Sequence, residues 1–500
     1  MQLKPKLTRD VELLAALALA FLYVAITNGH LHSIDGLVVY RQAWSIAYNH
    51  SLRFDPPIWW TILWTTSRYG IGLSLLDVPG LLLWSGLAPL APVVSQQPGV
   101  YDFRELYADP LYVLAAAPVN VVVTAVTAFL VARFIRALGY ATSTSLWGLT
   151  FFGIASPAIV YSREDFTQPL EGLCWVAALY AAQQYRLYRK RSSVWISGAA
   201  VCYAILTRPV EGSLVACAVL LLIIPSFTPW RWRRSAWMEL GILGIAYGTA
   251  LVVTLAVNWG RSGSPFITGY EGFSWTNPLI PGLAGSLLSP GRGIVWEFPA
   301  VLLAPIGVWQ LWRLGNQVLG SVLAMLCVLQ LVNVAAWVIW WGGSDWGLRL
   351  FVPALPVLAI LAAVGIAALP SHVRRWLPTL LLVGGIVWVI PCIVTDYSGG
   401  YAGVYGDPAS NWQLAAYAPI GAWKFLRHFR ASTPLDTTAI DILWIRMARL
   451  TENASLIPLI LLLSASALLA IRVRNLIKPV DLSTRRPDEA SKLSRSAEAC

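Results

Sequence analysis

Long apolar stretches separated by short charged ones run the length of this chain. They fall at about 11–27, 71–95, 111–132, 143–160, 169–185, 193–207, 209–226, 238–257, 294–312, 318–341, 350–369, 376–394 and 455–471. Most approach the ~20 residues that an α-helix needs to cross the ~30 Å hydrocarbon layer. Backbone in hydrocarbon must satisfy its own hydrogen bonds, which favours helices over open strands. The pattern predicts an all-α polytopic membrane protein.

The thirteen runs cannot all cross. If 71–95 spans, the clusters Arg186/Arg189/Lys190/Arg191, Arg231/Arg233/Arg234 and Arg374/Arg375 fall on the opposite side from Lys4, Lys6 and Arg9. If it does not, all of them share one side, as the excess of Lys and Arg in cytoplasmic loops requires. The run itself carries Asp77, Pro79 and Gly80, with Pro89 and Pro92 near its end, and proline interrupts a helix. We therefore expect about 12 transmembrane helices, both termini cytoplasmic, and 71–95 re-entrant or lying at the outer interface. On this scheme 1–394 is a transmembrane core with outer loops 28–110 and 258–293. Residues 395–454 form an outer-face segment suited to cover a site, 455–472 the last crossing, and 473–500 a basic cytoplasmic tail.

Composition agrees. Of 500 residues 57% are hydrophobic and 12% charged, with 25 tryptophans and a mean hydropathy of +0.62. A net charge of +11 would suggest nucleic acid in a soluble domain. Here it collects on the cytoplasmic side, and no nucleic-acid partner is expected. Five cysteines lie in apolar runs and Cys500 ends the chain, without metal-ligand spacing. No small-x-small cleavage site follows the first run, so it reads as a retained anchor.

With this topology the unusual polar groups share the outer face. Asp35 and Arg41 follow the first helix in HLHSIDGLVVYRQAWSI; Glu164 and Asp165 stand in YSREDFTQPLEG; Arg208 sits in a tight Thr-Arg-Pro turn; Arg292 in SPGRG; Asp345 and Arg349 in WWGGSDWGLRL. Ionisable groups at helix mouths are costly unless paired or hydrated, so each singly could be an ion pair that pins helix ends. Five motifs on one face instead suggest a site. A carboxylate can take a proton from an attacking hydroxyl, and arginine offers a planar fork of donors to phosphate oxygens. That equipment suits displacement of a phosphate from a sugar.

The order of these elements resembles the GT-C superfamily of integral-membrane glycosyltransferases, in particular bacterial relatives of the protein mannosyltransferase and aminoarabinose transferase family. The resemblance rests on Asp35-Gly36 with Tyr40-Arg41, the Tyr-Ser-x-x-x-Phe segment at 161–166, Thr207-Arg208-Pro209, SPGRG at 289–293 and WWGGSDWGLRLFVPALP at 340–356. It implies a polyprenyl-phosphate-linked sugar donor used at the non-cytoplasmic face and a glycan, lipid or protein acceptor, with inversion at the anomeric carbon. Asp35 would then act as the catalytic base, Glu164 or Asp165 as the second acid, and Arg208, Arg292 or Arg349 as phosphate ligands. Arg41 would orient Asp35 or meet phosphate, and Asp345 would line the substrate site. It also implies a bacterial plasma (inner) membrane.

The first loop holds a lone Asp35 where metal-dependent relatives carry an acid-x-acid pattern, so no essential metal and no other cofactor is expected. His30, His32 and Asp35 could supply nitrogen and oxygen ligands to zinc, but histidines that bond Asp35 or sit at the headgroups are the simpler reading. Trp59, Trp60 and Trp64 read as an interfacial helix. Two other functions use similar parts. A flippase or transporter of lipid-linked sugars would want polar sites near the midplane and two related halves. An envelope polysaccharide polymerase or ligase would differ chiefly in its acceptor.

Overall fold

The computed structural model describes residues 5–29, 31, 34–54, 66–83, 115–224, 234–343, 345–395, 409–413, 417, 419–421, 440–448, 451 and 453–477. His30, His32 and Trp59, Trp60 and Trp64 lie outside them, as does the 473–500 tail beyond residue 477 and most of 395–454.

The described chain is helical, with two isolated β-bridges, Arg53 with Thr66 and Thr395 with Ile440. Its α-helices in order are α1 Pro5–Ala25, α2 Ile34–Asn49, α3 Gly72–Leu83, α4 Ala117–Ala137, α5 Thr142–Ile154 and α6 Ala158–Tyr161. There follow α7 Thr167–Tyr188, α8 Arg191–Thr207, α9 Pro209–Ile223, α10 Arg234–Ser262, α11 Leu279–Leu288 and α12 Ile294–Glu297. The last are α13 Ala304–Arg313, α14 Gln317–Ala336, α15 Leu355–Ala368, α16 Ser371–Val394, α17 Leu443–Ala448 and α18 Leu456–Ile477.

Among the described residues six spans are long and apolar enough to cross a membrane: Ala117–Ala137, Trp237–Ser262, Gln317–Ala336, Arg349–Ala368, Ser371–Val394 and Leu456–Ile477. The chain is a multi-pass membrane protein. The other runs resolve differently. The 294–312 run, read as one crossing, is broken into α12, a 3-10 stretch at Pro299–Leu303 and α13. Pro299 has no N–H for the helix ladder, and the Glu297 carboxylate is turned to the Leu348 backbone N–H at 2.7 and 2.9 Å. The outer segment 258–293, read as a loop, contains the apolar helix α11. Helix α3 covers twelve residues of the 71–95 run, about 18 Å at 1.5 Å per residue.

Helix α15 is the centre of the bundle. Every residue from Leu355 to Ile366 is buried, and a helix apolar on all sides is one surrounded by others. Small residues set its spacing to α13: a Cβ on Gly307 would run into the Leu361 carbonyl, and one on Gly365 into the Leu303 carbonyl.

The two ends of the bundle differ in their chemistry. At one end Glu12 of α1 accepts from Ser145 Oγ at 3.1 Å and lies 3.3 Å from Arg133 and 3.5 Å from Arg136 of α4. At the other, the C-terminal ends of α1, α8, α10, α14 and α16 meet the N-terminal ends of α4, α7 and α9. There Arg163 is fully buried. Its guanidinium donates to the carbonyls of Ile26, Cys392, Ile393 and Asp441 and pairs with the Asp441 carboxylate at 2.9 Å. One side chain thereby ties the exits of α1 and α16 to the strand of chain entering α17.

Candidate active site

Asp35 occupies the first turn of α2, where unsatisfied N–H groups favour negative charge. Gly36 lets this turn sit against the 162–166 loop, since a Cβ there would meet the Asp165 carbonyl at 3.2 Å. Arg349 reaches Asp35 from the other side of the bundle. Its Nη1 lies 2.5 Å from Asp35 Oδ2 and 2.5 Å from Asp345 Oδ2, with the guanidinium 5.3 Å from the Phe166 ring centre. Arg68 approaches the second oxygen, Nη2 to Oδ1 at 3.6 Å, and lies over the rings of Tyr69, Tyr270 and Phe273. Burial would raise the Asp35 pKa, but the charges of Arg349 and Arg68 and a hydrogen bond from Tyr69 outweigh it and hold the carboxyl below its ordinary value.

Asp165 has the opposite character. It is 2% exposed, both carboxylate oxygens lack a hydrogen-bond partner among the described residues, and burial pushes its pKa up to about 8. Two carboxyls therefore face one space with opposite tendencies, one held toward its ionised form by arginines and one pushed toward its neutral form by burial. Such separation is how active sites assign acid and base roles.

That space is a cavity of about 810 Å³ at the end of the bundle away from Glu12. Its polar wall includes Asp35, Arg68, Asp165, Arg208, Asp345 and Arg349. Arg208 is the N-cap of α9, and its Nε and Nη2 both bond Glu211 Oε1 at 2.9 and 2.7 Å. The Thr-Arg-Pro turn follows from sequence: proline begins α9 at its first position, where no N–H is needed, and glycines at 70 and 72 leave room for Thr207. Glycines 342, 343 and 347 all have positive φ, and this is the backbone that turns Asp345 back toward Arg349.

Of the residues singled out from sequence, Asp35, Asp165, Arg208, Asp345 and Arg349 line the cavity, and three do not. Arg292 is fully buried behind it. Its guanidinium donates to the carbonyls of Asp345, Gly347 and Gly343 and contacts Asn411 Oδ1 at 3.4 Å, so it braces the loop that carries Asp345. Glu164 is buried beside the loop, its backbone carbonyl held by Asn120 Nδ2 at 2.5 Å. Arg41 lies one and a half turns along α2, 5.6 Å over the Trp44 ring. The arginines that grip Asp35 are Arg349 and Arg68. Sequence reasoning passed over Arg68 and Tyr69, although Ser67-Arg68-Tyr69-Gly70 is a polar break just before an apolar run.

Two solved structures are similar to this chain at low identity and with TM-scores below 0.5. ArnT from Cupriavidus metallidurans bound to undecaprenyl phosphate is 13% identical, with a TM-score of 0.46 over 88% of this chain and 86% of that one. The archaeal oligosaccharyltransferase AglB from Archaeoglobus fulgidus, in complex with an inhibitory peptide and a dolichol-phosphate, is 10% identical with a TM-score of 0.47. That match covers 79% of this chain and 56% of AglB, so the chain spans little more than half the archaeal protein. No family model matches the chain, and no curated protein matches it.

Proposed function

We propose that this protein is a glycosyltransferase that moves a sugar from a polyprenyl-phosphate donor to an acceptor hydroxyl at the non-cytoplasmic face of the plasma membrane, with inversion. One observation carries the reading: acids and arginines from six separated segments converge on one cavity at one end of an apolar helical bundle. The proposed topology has twelve crossings with both termini cytoplasmic, which sets this end outward.

In the mechanism Asp35 is the proton acceptor. The acceptor oxygen bonds to the anomeric carbon as its proton passes to the carboxylate, and the bond from that carbon to the phosphate oxygen breaks with its electrons going to the phosphate. Guanidinium groups of the cavity stabilise that developing charge, which is where preorganised donors act most strongly. Asp165, protonated at neutral pH, donates a hydrogen bond to the bound sugar. Asp35 is charged in the resting site because Arg349 and Arg68 hold it so. A hydroxyl that enters displaces part of that grip and makes Asp35 more basic as it binds.

The test is genetic and chemical. Cells lacking the protein would be complemented with wild type or with equally expressed Asp35→Asn, and their polyprenyl-linked sugars and envelope glycans measured by mass spectrometry. Failure of Asp35→Asn to restore a missing sugar, with the lipid-linked donor accumulating, is the expected outcome. Full rescue would remove Asp35 as the base and favour a flippase instead.

A further inference from the structure

Four arginines line the cavity among the described residues: Arg68, Arg208, Arg261 and Arg349. Three are matched by carboxylates. Arg349 holds Asp35 and Asp345, Arg68 faces Asp35, and Arg208 closes on Glu211. Arg261 is different. It is 7% exposed, it makes no ion pair with any described carboxylate, and its Nε and Nη2 have no hydrogen-bond partner. Its backbone carbonyl is held by Arg53 Nε at 3.1 Å, which fixes the end of α10 without serving the side chain.

Arg261 is not alone on its face. Thr254 and Asn258 precede it by seven and three residues, all three line the cavity, and that spacing puts them on one stripe of α10. Thr254 Oγ1 also lacks a partner, whereas Asn258 Nδ2 bonds the Pro265 carbonyl at 3.1 Å. The opposite face carries exposed Ile245, Val252 and Trp259, as a lipid-facing helix should. A helix otherwise built for hydrocarbon thus turns an uncompensated guanidinium and an unsatisfied hydroxyl toward the cavity.

Burying a charge without a partner is costly, and an anion brought by a ligand removes that cost. The unsatisfied Nε and Nη2 form one edge of the guanidinium, the edge that gives two parallel N–H···O bonds to a single tetrahedral phosphate. Val257, Ile205, Val210 and Val334 line the same cavity and suit an apolar chain attached to that phosphate.

The geometry points to Arg261, with Thr254, as a subsite for the phosphate of an isoprenoid monophosphate. The identity of the lipid rests on the glycosyltransferase reading; the anion site does not. Arg292 donates to three backbone carbonyls and Arg349 is charge-paired with two carboxylates, whereas Arg261 has no carboxylate among the described residues.

The experiment uses the purified full chain in lipid nanodiscs and reads binding of farnesyl phosphate, with farnesol, inorganic phosphate and phosphatidylglycerol as competitors. Wild type should bind farnesyl phosphate well above farnesol. Arg261→Gln should weaken that binding about ten- to a hundredfold, the loss of a charge-assisted hydrogen-bonded pair, with Arg261→Lys between the two. Thr254→Val should give a smaller loss and guards against misfolding of the arginine variants. Equal affinity of wild type and Arg261→Gln overturns the assignment, as does equal binding of farnesol. Equal competition by inorganic phosphate would make it a free-phosphate site, and by phosphatidylglycerol a headgroup site; either result overturns the isoprenoid assignment. Asp35→Asn, which releases Arg349 and Arg68 from their carboxylate, should still bind farnesyl phosphate, and adding Arg261→Gln to it should lower that binding. If Asp35→Asn also transfers sugar normally while Arg261 still governs binding, the transferase reading falls and the subsite stands.

Discussion

At the scale of single residues, the cavity sets two aspartates against each other. Asp35 is held ionised by Arg349 and Arg68, and Asp165 is held neutral by burial, with a pKa of about 8. The sign of the pH dependence follows. A base whose pKa is lowered loses activity only as pH falls through that lowered value, below the ordinary carboxylate range. A donor whose pKa is raised loses activity as pH rises through about 8. Transfer activity should therefore follow a bell with its alkaline limb near that value. Asp165→Asn, which keeps a neutral donor at all pH, should abolish the alkaline limb in a pH–rate profile while retaining activity at neutral pH. Asp35→Asn should lower turnover by ~10²–10³ at every pH with little change in thermal stability. The residue types at this site were legible in the sequence, because acids and arginines are rare in an apolar chain. Their division into paired and unpaired groups was not, because it depends on distances between segments hundreds of residues apart.

Elements position these residues through close approach. The Thr207-Arg208 turn fits only because Gly70 and Gly72 lack side chains: a Cβ on Gly70 would strike the Leu206 and Thr207 carbonyls, and one on Gly72 the Thr207 hydroxyl. Gly70→Val should misplace both Arg68 and Arg208 and cut transfer strongly, with farnesyl phosphate binding weakened in the same variant. Gly307→Leu, at the crossing of α13 and α15 and remote from the cavity in its effect, should destabilise by about 1–3 kcal/mol or more, as overpacking does, and lower the thermal midpoint in detergent. The apolar runs marked most of these helices within a few residues. They gave no sign that 294–312 is divided, where Pro299 and the turn of Glu297 toward Leu348 break a continuous hydrophobic stretch into pieces. Hydropathy reports transfer of side chains to an apolar medium and is blind to a backbone kink satisfied by a distant carboxylate.

For the whole molecule, the exits of α1, α6 and α16 are joined through one buried ion pair. Arg163→Gln would leave the Asp441 carboxylate buried without its counter-charge, and removal of one partner of such a pair typically costs ~3–5 kcal/mol. A marked fall in thermal midpoint is expected, larger than for any cavity arginine, and Asp441→Asn should produce a similar fall. The proposed topology makes its own forecast. Single cysteines placed at Ser192 and Ser274 in a cysteine-free background should label from opposite sides of the membrane, and labelling from the same side would end the twelve-crossing scheme.

The sequence by itself determined that this is a helical membrane protein whose scarce charges lie between apolar runs, because the cost of burying polar backbone and charge in hydrocarbon leaves a direct imprint on residue order. It also named Asp35, Asp165, Arg208, Asp345 and Arg349 as residues that end up around one cavity. Only the tertiary structure decided that Arg292 serves the fold, that Arg68 joins Arg349 at Asp35, and that Arg261 is left without a counter-charge among the described residues. Those outcomes turn on which acid each guanidinium meets, and in a folded bundle the partner is chosen by packing across segments far apart in the chain.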